Sequence, residues 1–269
     1  MGFKVLSAKN DVVFKALFVK NIEILKVFLS DILEIPPESI QDIKITNSEI
    51  IPEKVDGKVG RLDINLITSE GNINIEMQMV KDDDYGERIL FYWSKMYVSG
   101  IDKGEVYKNL SKTISINVLG FKMFDCKEYY SEFQILEKNR HELFSDKMSL
   151  HFFELPKISD KIDISDRKQL WLQLINADSE EDFAMLRETN VPIIQESVGK
   201  IYELSNDEQI REYVRQREKT RLDWNSDMYN AKLQGRAEGI EAVIKGMRIA
   251  GISEEQIEAT RKAMLKEDN

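Results

Sequence analysis

Residues 61–80 read RLDINLITSEGNINIEMQMV, and their alternation decides the fold. Side chains on a strand point to opposite faces in turn, so each run divides by parity. Leu62, Ile64 and Leu66 go one way and Asp63 and Asn65 the other; after the turn Ile73, Ile75, Met77 and Met79 take the apolar side, leaving Asn74, Glu76 and Gln78 on the polar one. Between the runs, Thr68-Ser69-Glu70-Gly71 has turn composition. A turn that sets Thr68 against Gly71 predicts, counting outward, that Asp63 lies opposite Glu76 with Gln78 diagonal to Asp63.

Two like charges facing each other across strands repel, by roughly 0.2–1 kcal/mol for a cross-strand term. Two readings of the polar face follow. It is either an ordinary solvated hairpin face or a site where a divalent cation offsets the repulsion. Mg²⁺ takes hard oxygen ligands, typically one or two carboxylates plus water and substrate phosphate, and Mn²⁺ or another divalent ion serves the same donors. Positive charge near this face is confined to Arg61 and Lys81, close to its ends.

Outward from the hairpin, residues 10–33 carry Val13, Phe14, Leu17, Phe18, Ile22, Leu25, Phe28, Leu29 and Ile32 at helical period, with Asn10 as cap and Pro36-Pro37 as stop. A strand is predicted over 43–51, a helix over 84–102 and a buried, β-branched strand over 113–124, with shorter strands over 134–137 and 150–155. From Ser165 the pattern is helical, in segments near 166–177, 179–189, 191–204 and 207–248, and Ser253-Glu254-Glu255-Gln256 has the form of a capping box. The expected organisation is an α/β domain over 1–156, with a mixed sheet flanked by helices, followed by a helical C-terminal region over 157–269 for interaction, oligomerisation or DNA contact.

With 269 residues the chain can bury a conventional core. One cysteine, Cys126, excludes an intramolecular disulfide, and with only His141 and His151 beside it no common zinc spacing can be built. The N-terminus turns polar too early for a signal peptide, and no apolar run nears the roughly 20 residues of a membrane span. A cytoplasmic protein without membrane attachment is expected. A net charge of −10 argues against indiscriminate coating of nucleic acid, but a nuclease needs only local lysines and arginines beside its carboxylates.

Asn10-Asp11-Val12-Val13-Phe14-Lys15, Leu62-Asp63-Ile64, Ile75-Glu76-Met77-Gln78, Glu87-Arg88 with Tyr92-Trp93, and Gly104 to Tyr107 leading into Ile114-Ser115-Ile116 occur in an order that resembles the Rpn family. This is the recombination-promoting nuclease and transposase group of the PD-(D/E)XK superfamily. The resemblance covers roughly residues 4–155, and the tail around Gly235 to Gly239 is similar as well. It implies a restriction-endonuclease-like core and Mg²⁺-dependent endonucleolytic cleavage of DNA, in a family linked to recombination and mobile elements. Asp63 matches the first motif acid and Glu76 the second, both as metal ligands. Gln78 stands where the wider superfamily usually has Lys; it can hydrogen-bond a water but cannot supply positive charge.

Asp11 is a further candidate for positioning water or metal, against the simpler reading of an acid favoured by the helix dipole and paired with Lys15. Arg88, Tyr92 and Lys95 share one helix face and are candidates for DNA-phosphate contact, with a plain solvated face as the alternative. A catalytically weakened nuclease fold that binds DNA or protein is the competing function. Strand transfer is a third reading, and homo-oligomerisation through the C-terminal helices is allowed. Trp93 and Trp171 are expected in the core.

Overall fold

Asn10 caps α1 (Asp11–Val19), its side chain accepting from the Val12 amide at 3.0 Å. The periodicity that suggested one helix over 10–33 covers two, because α2 (Ile22–Leu33) starts after a break at Asn21, whose side-chain amide donates to the Leu17 carbonyl at 2.7 Å. A short polar side chain that bonds the backbone one turn back competes with the helical ladder. The computed structural model describes residues 4–47, 63–101 and 104–266.

Next come β1 (Lys44–Ile45), β2 (Ile64–Thr68), β3 (Gly71–Gln78), α3 (Tyr85–Val98), β4 (Thr113–Leu119), β5 (Tyr130–Leu136) and β6 (Leu143–Glu154). Residues 48–51 of the first predicted strand, and Arg61 and Leu62 of the second, lie outside the described residues. The six strands form one sheet in the order β1-β2-β3-β4-β6-β5. β2 and β3 form the expected hairpin, in register from Ile64↔Ile75 to Thr68↔Gly71. β4 runs parallel to β3 and to β6, and β5 closes the far edge antiparallel to β6. This is the mixed, restriction-endonuclease-like α/β sheet expected from the sequence.

Parity separates two cores. Ile64, Leu66, Ile73, Ile75, Ile114, Ile116, Val118 and Phe153 pack on one face with α1 and α2. Leu119, Leu150 and Phe152 pack on the other with Tyr85 and Ile89 of α3. Every residue of β4 is buried, as a central parallel strand requires. β6 is much longer than the predicted 150–155 because its first half is largely exposed and carries no apolar run.

The helices α4 (Arg167–Asn176), α5 (Glu180–Glu188) and α6 (Pro192–Asn206) extend the first core. Trp171 is fully buried, edge-on to Phe28 at 5.5 Å between ring centroids. Its indole N–H donates to Asp31 at 2.7 Å, which satisfies the polar end of the ring. The compact units accordingly divide not near Pro156 but between Val214 and Arg215, within α7 (Glu208–Ile249). The second unit, Arg215–Asn269, contains the rest of α7 and α8 (Glu254–Lys266), and Leu222, Trp224, Met228, Tyr229 and Leu233 are exposed along it. No described helix is long and apolar enough to cross a membrane.

Candidate active site

The hairpin register ends at Ile64↔Ile75, and one further step of the same count would set Asp63 against Glu76, the pair expected from the turn. Asp63 immediately precedes β2, and its carboxylate is held in place. Oδ2 accepts from the side-chain amides of Asn65 and Asn74, each at 3.2 Å, and Asn74 also donates to Asn65 Oδ1 at 2.9 Å. The Asp63 carbonyl accepts from Asn47 Nδ2 at 2.7 Å. Neutral amides satisfy part of this carboxylate without neutralising it.

Glu76 is buried, 7 % exposed, on the face covered by α3. Burying a carboxylate is costly unless a cation or hydrogen bonds compensate it. Arg88 of α3 supplies a cation: its Nη2 lies 3.6 Å from Glu76 Oε1. The same guanidinium bonds Asp82 at 2.6 Å through Nη1 and lies 4.8 Å from the centre of the Tyr85 ring. Its Nε and Nη2 are buried and have no hydrogen-bond partner among the described residues. Arg88 is therefore hydrogen-bonded to Asp82 through Nη1 and faces Glu76 through Nη2 at ion-pair distance.

Gln78 directs its amide nitrogen to the Val80 carbonyl at 2.8 Å. The polar face continues onto β4, where Asn117 stands beside Glu76 and Ser115 beside Asn74. Both are buried, and Asn117 donates to the His151 carbonyl and to Ser115 Oγ, each at 3.1 Å. Sequence reasoning read 113–124 as a buried, β-branched strand and gave Ser115 and Asn117 no place in the site. The signal was present in Thr113, Ser115 and Asn117, polar at a spacing of two.

The other sequence candidates fall in different places. Asp11 sits in the first turn of α1, which packs on the opposite face of the sheet from α3. Among the described residues no three Asp, Glu, His or Cys side chains gather into a possible metal cluster, so Asp11 does not join Asp63 and Glu76 as a third acid. Tyr92 and Lys95 are exposed farther along α3, away from the half-buried Arg88 on the same face. Trp93 is half-buried, stacked on Tyr97 at 5.1 Å, and donates to the Thr113 carbonyl at 2.8 Å.

Two carboxylates fit a hard divalent ion of the Mg²⁺ type, which accepts a small number of protein oxygens and completes its shell with water and phosphate. Arg88 competes for Glu76, so the same carboxylate would be shared between a fixed cation and a bound one.

An antiparallel hairpin carrying two acids, followed by a helix and a parallel strand, defines a nuclease-type α/β domain. The chain belongs to the PD-(D/E)XK nuclease family transposases: the family model matches residues 8–231, beyond the sheet and into α7. Neither the search of curated proteins nor that of solved structures found a match.

Proposed function

We propose that this chain is a Mg²⁺-dependent DNA endonuclease that hydrolyses phosphodiester bonds, in the context of recombination or mobile elements. The observation that carries this reading is the shared polar face: Asp63 accepts from Asn74, which stands two residues before Glu76 on the same side of β3. Asp63 and Glu76 would hold the cation, which supplies Lewis-acid activation of water and charge neutralisation at phosphate when bound. The Asn65 and Asn74 amides fix the Asp63 carboxylate for that task. Gln78 orients a water through its amide group once released from Val80. Arg88 supplies the positive charge that Gln78 lacks, its guanidinium lying 3.6 Å from Glu76 and acting on developing phosphate charge through the field of the site. Asp11 is assigned to the start of α1 and not to the chemistry.

The test is plasmid nicking with Mg²⁺ or Mn²⁺ by the native chain, Asp63→Ala and Glu76→Ala, each checked for native circular dichroism. Both variants should lose at least about a hundred-fold in rate, in line with the loss of a preorganised electrostatic group. Equal nicking by all three removes the assignment. A second reading, a weakened nuclease fold that binds DNA without cutting it, is favoured by Gln78 being bonded to its own chain and Glu76 being already partnered. It predicts DNA binding indifferent to metal and no calorimetric Mg²⁺ signal that depends on Asp63.

A further inference from the structure

Beside the polar face, the segment after β4 forms a cavity of about 450 Å³ whose lining includes Lys81, Lys122, Asp125, Lys127 and Lys157. Four of these five are cationic, in a chain whose net charge is −10. The lysines differ in what they can do. The Lys157 side chain is 5 % exposed and its Nζ is spent internally, 2.5 Å from Glu154 and 2.8 Å from the Phe124 carbonyl. Glu154, itself 1 % exposed, accepts from the Met123 and Phe124 amides at 2.5 and 3.2 Å. This buried pair clamps the loop and leaves no net charge. Lys81, Lys122 and Lys127 are exposed, and against Asp125 they leave a surplus of two positive charges on a braced frame.

The cavity also lies at the right end of the sheet. Gly120 donates from its amide to the Gln78 carbonyl at 2.9 Å, tying the end of β4 to the end of β3. A Cβ at Gly120 would come 3.0 Å from the Met79 backbone, so the two strand ends touch directly. Chain leaving β3 passes from Gln78 to Lys81, and chain leaving β4 passes from Gly120 to Lys122 and Lys127. The carboxyl ends of parallel strands are where α/β sheets place their ligands.

We propose that Lys81, Lys122 and Lys127 form a phosphate subsite that holds the DNA backbone next to the bond being cut. The subsite rests on the nuclease reading for its position in a reaction, but its chemistry, phosphodiester recognition by ammonium groups, is separately measurable. Each lysine that engages a phosphate of duplex DNA releases condensed counterion, so the salt dependence of binding reports how many phosphates are engaged.

The experiment compares the native chain with Lys81→Ala/Lys122→Ala/Lys127→Ala and with a control of equal charge change, Lys44→Ala/Lys138→Ala/Lys161→Ala. Binding of a fluorescein-labelled duplex is followed by anisotropy, with chelator present, across salt concentration. The subsite variant should bind on the order of ten-fold or more weakly at low salt, with a log–log salt slope shallower by about one for each phosphate no longer engaged. The control should follow the native chain. Identical affinity and slope in the subsite variant and the native chain, or no DNA binding by the native chain, overturns the proposal. A thermal shift by inorganic phosphate that the subsite variant loses, with DNA binding unchanged, also overturns it in favour of a free anion. Nicking by the native chain is scored separately: weakened binding without any nicking keeps the subsite and removes the nuclease reading, and undiminished binding with nicking does the reverse.

Discussion

Arg88→Met should destabilise the fold through Glu76, by an amount that follows from the geometry. The guanidinium lies 3.6 Å from the carboxylate, with side-chain exposures of 14 % and 9 %. At an effective dielectric near 20, that separation corresponds to a Coulomb attraction of about 4–5 kcal/mol. Desolvation of both groups takes back much of it, and Asp82 already shares the guanidinium at 2.6 Å. A net coupling of about 1–3 kcal/mol remains. Arg88→Met removes the guanidinium from beside a buried carboxylate and should cost about 2–3 kcal/mol, whereas Glu76→Gln leaves Arg88 with Asp82 and should cost about 1 kcal/mol. The double variant should then be more stable than the sum of the single effects implies, by the coupling. Urea denaturation of the native chain, both single variants and the double variant closes the cycle. Additivity within about 0.5 kcal/mol would refute the idea that Arg88 is the counter-ion of Glu76.

Two further perturbations test the frame around the site. Burial lowers the pKa of His151 from 6.5 to about 4, against an opposing effect of Glu132, while Lys168 and Lys112 lower it further. A depressed folded-state value means that stability is full above pH 6.5 and is lost as pH falls toward 4, by about 3 kcal/mol in all. Melting temperature against pH should therefore be flatter for His151→Gln than for the native chain in that window, and parallel curves would exclude the effect. At the hairpin turn, Gly71 has φ +123° and a Cβ there would come within 2.2 Å of the Lys112 carbonyl oxygen. Gly71→Ala should cost more than about 2 kcal/mol, and a calorimetric melting temperature within about 2 °C of native would contradict that.

The hairpin was legible because three local signals agreed: parity in Ile64 and Leu66, parity in Ile73 and Ile75, and turn chemistry between them. Local agreement of that kind fixes register, since a slip of one residue would exchange the two faces. β6 was half hidden because Leu143 and Phe144 are exposed and Asp146 and Lys147 interrupt any apolar run. The break between α1 and α2 was invisible because Asn21 sits inside an apolar period that continues on both sides of it. The partnership of Arg88 with Glu76 was illegible for a different reason: it depends on how α3 crosses the sheet, which no local pattern encodes. Sequence spacing grouped Arg88 with Tyr92 and Lys95 on one helix face, but burial separates the first from the other two.

The position of that cation bears on the glutamine at residue 78. A lysine on β3 would carry its charge on a flexible stem from the same strand as Glu76, whereas Arg88 brings a planar fork from a helix on the covering layer. Asp82 and the Tyr85 ring hold the fork at one side, and Tyr85 and Ile89 bury the helix against Leu119, Leu150 and Phe152. The charge beside Glu76 is thus set by packing between α3 and the sheet, not by the strand that carries the motif. On the proposed reading, catalytic electrostatics and the stability of the smaller core become one property. A substitution at Ile89, remote from any carboxylate of the motif in the sequence, acts on both through the placement of Arg88.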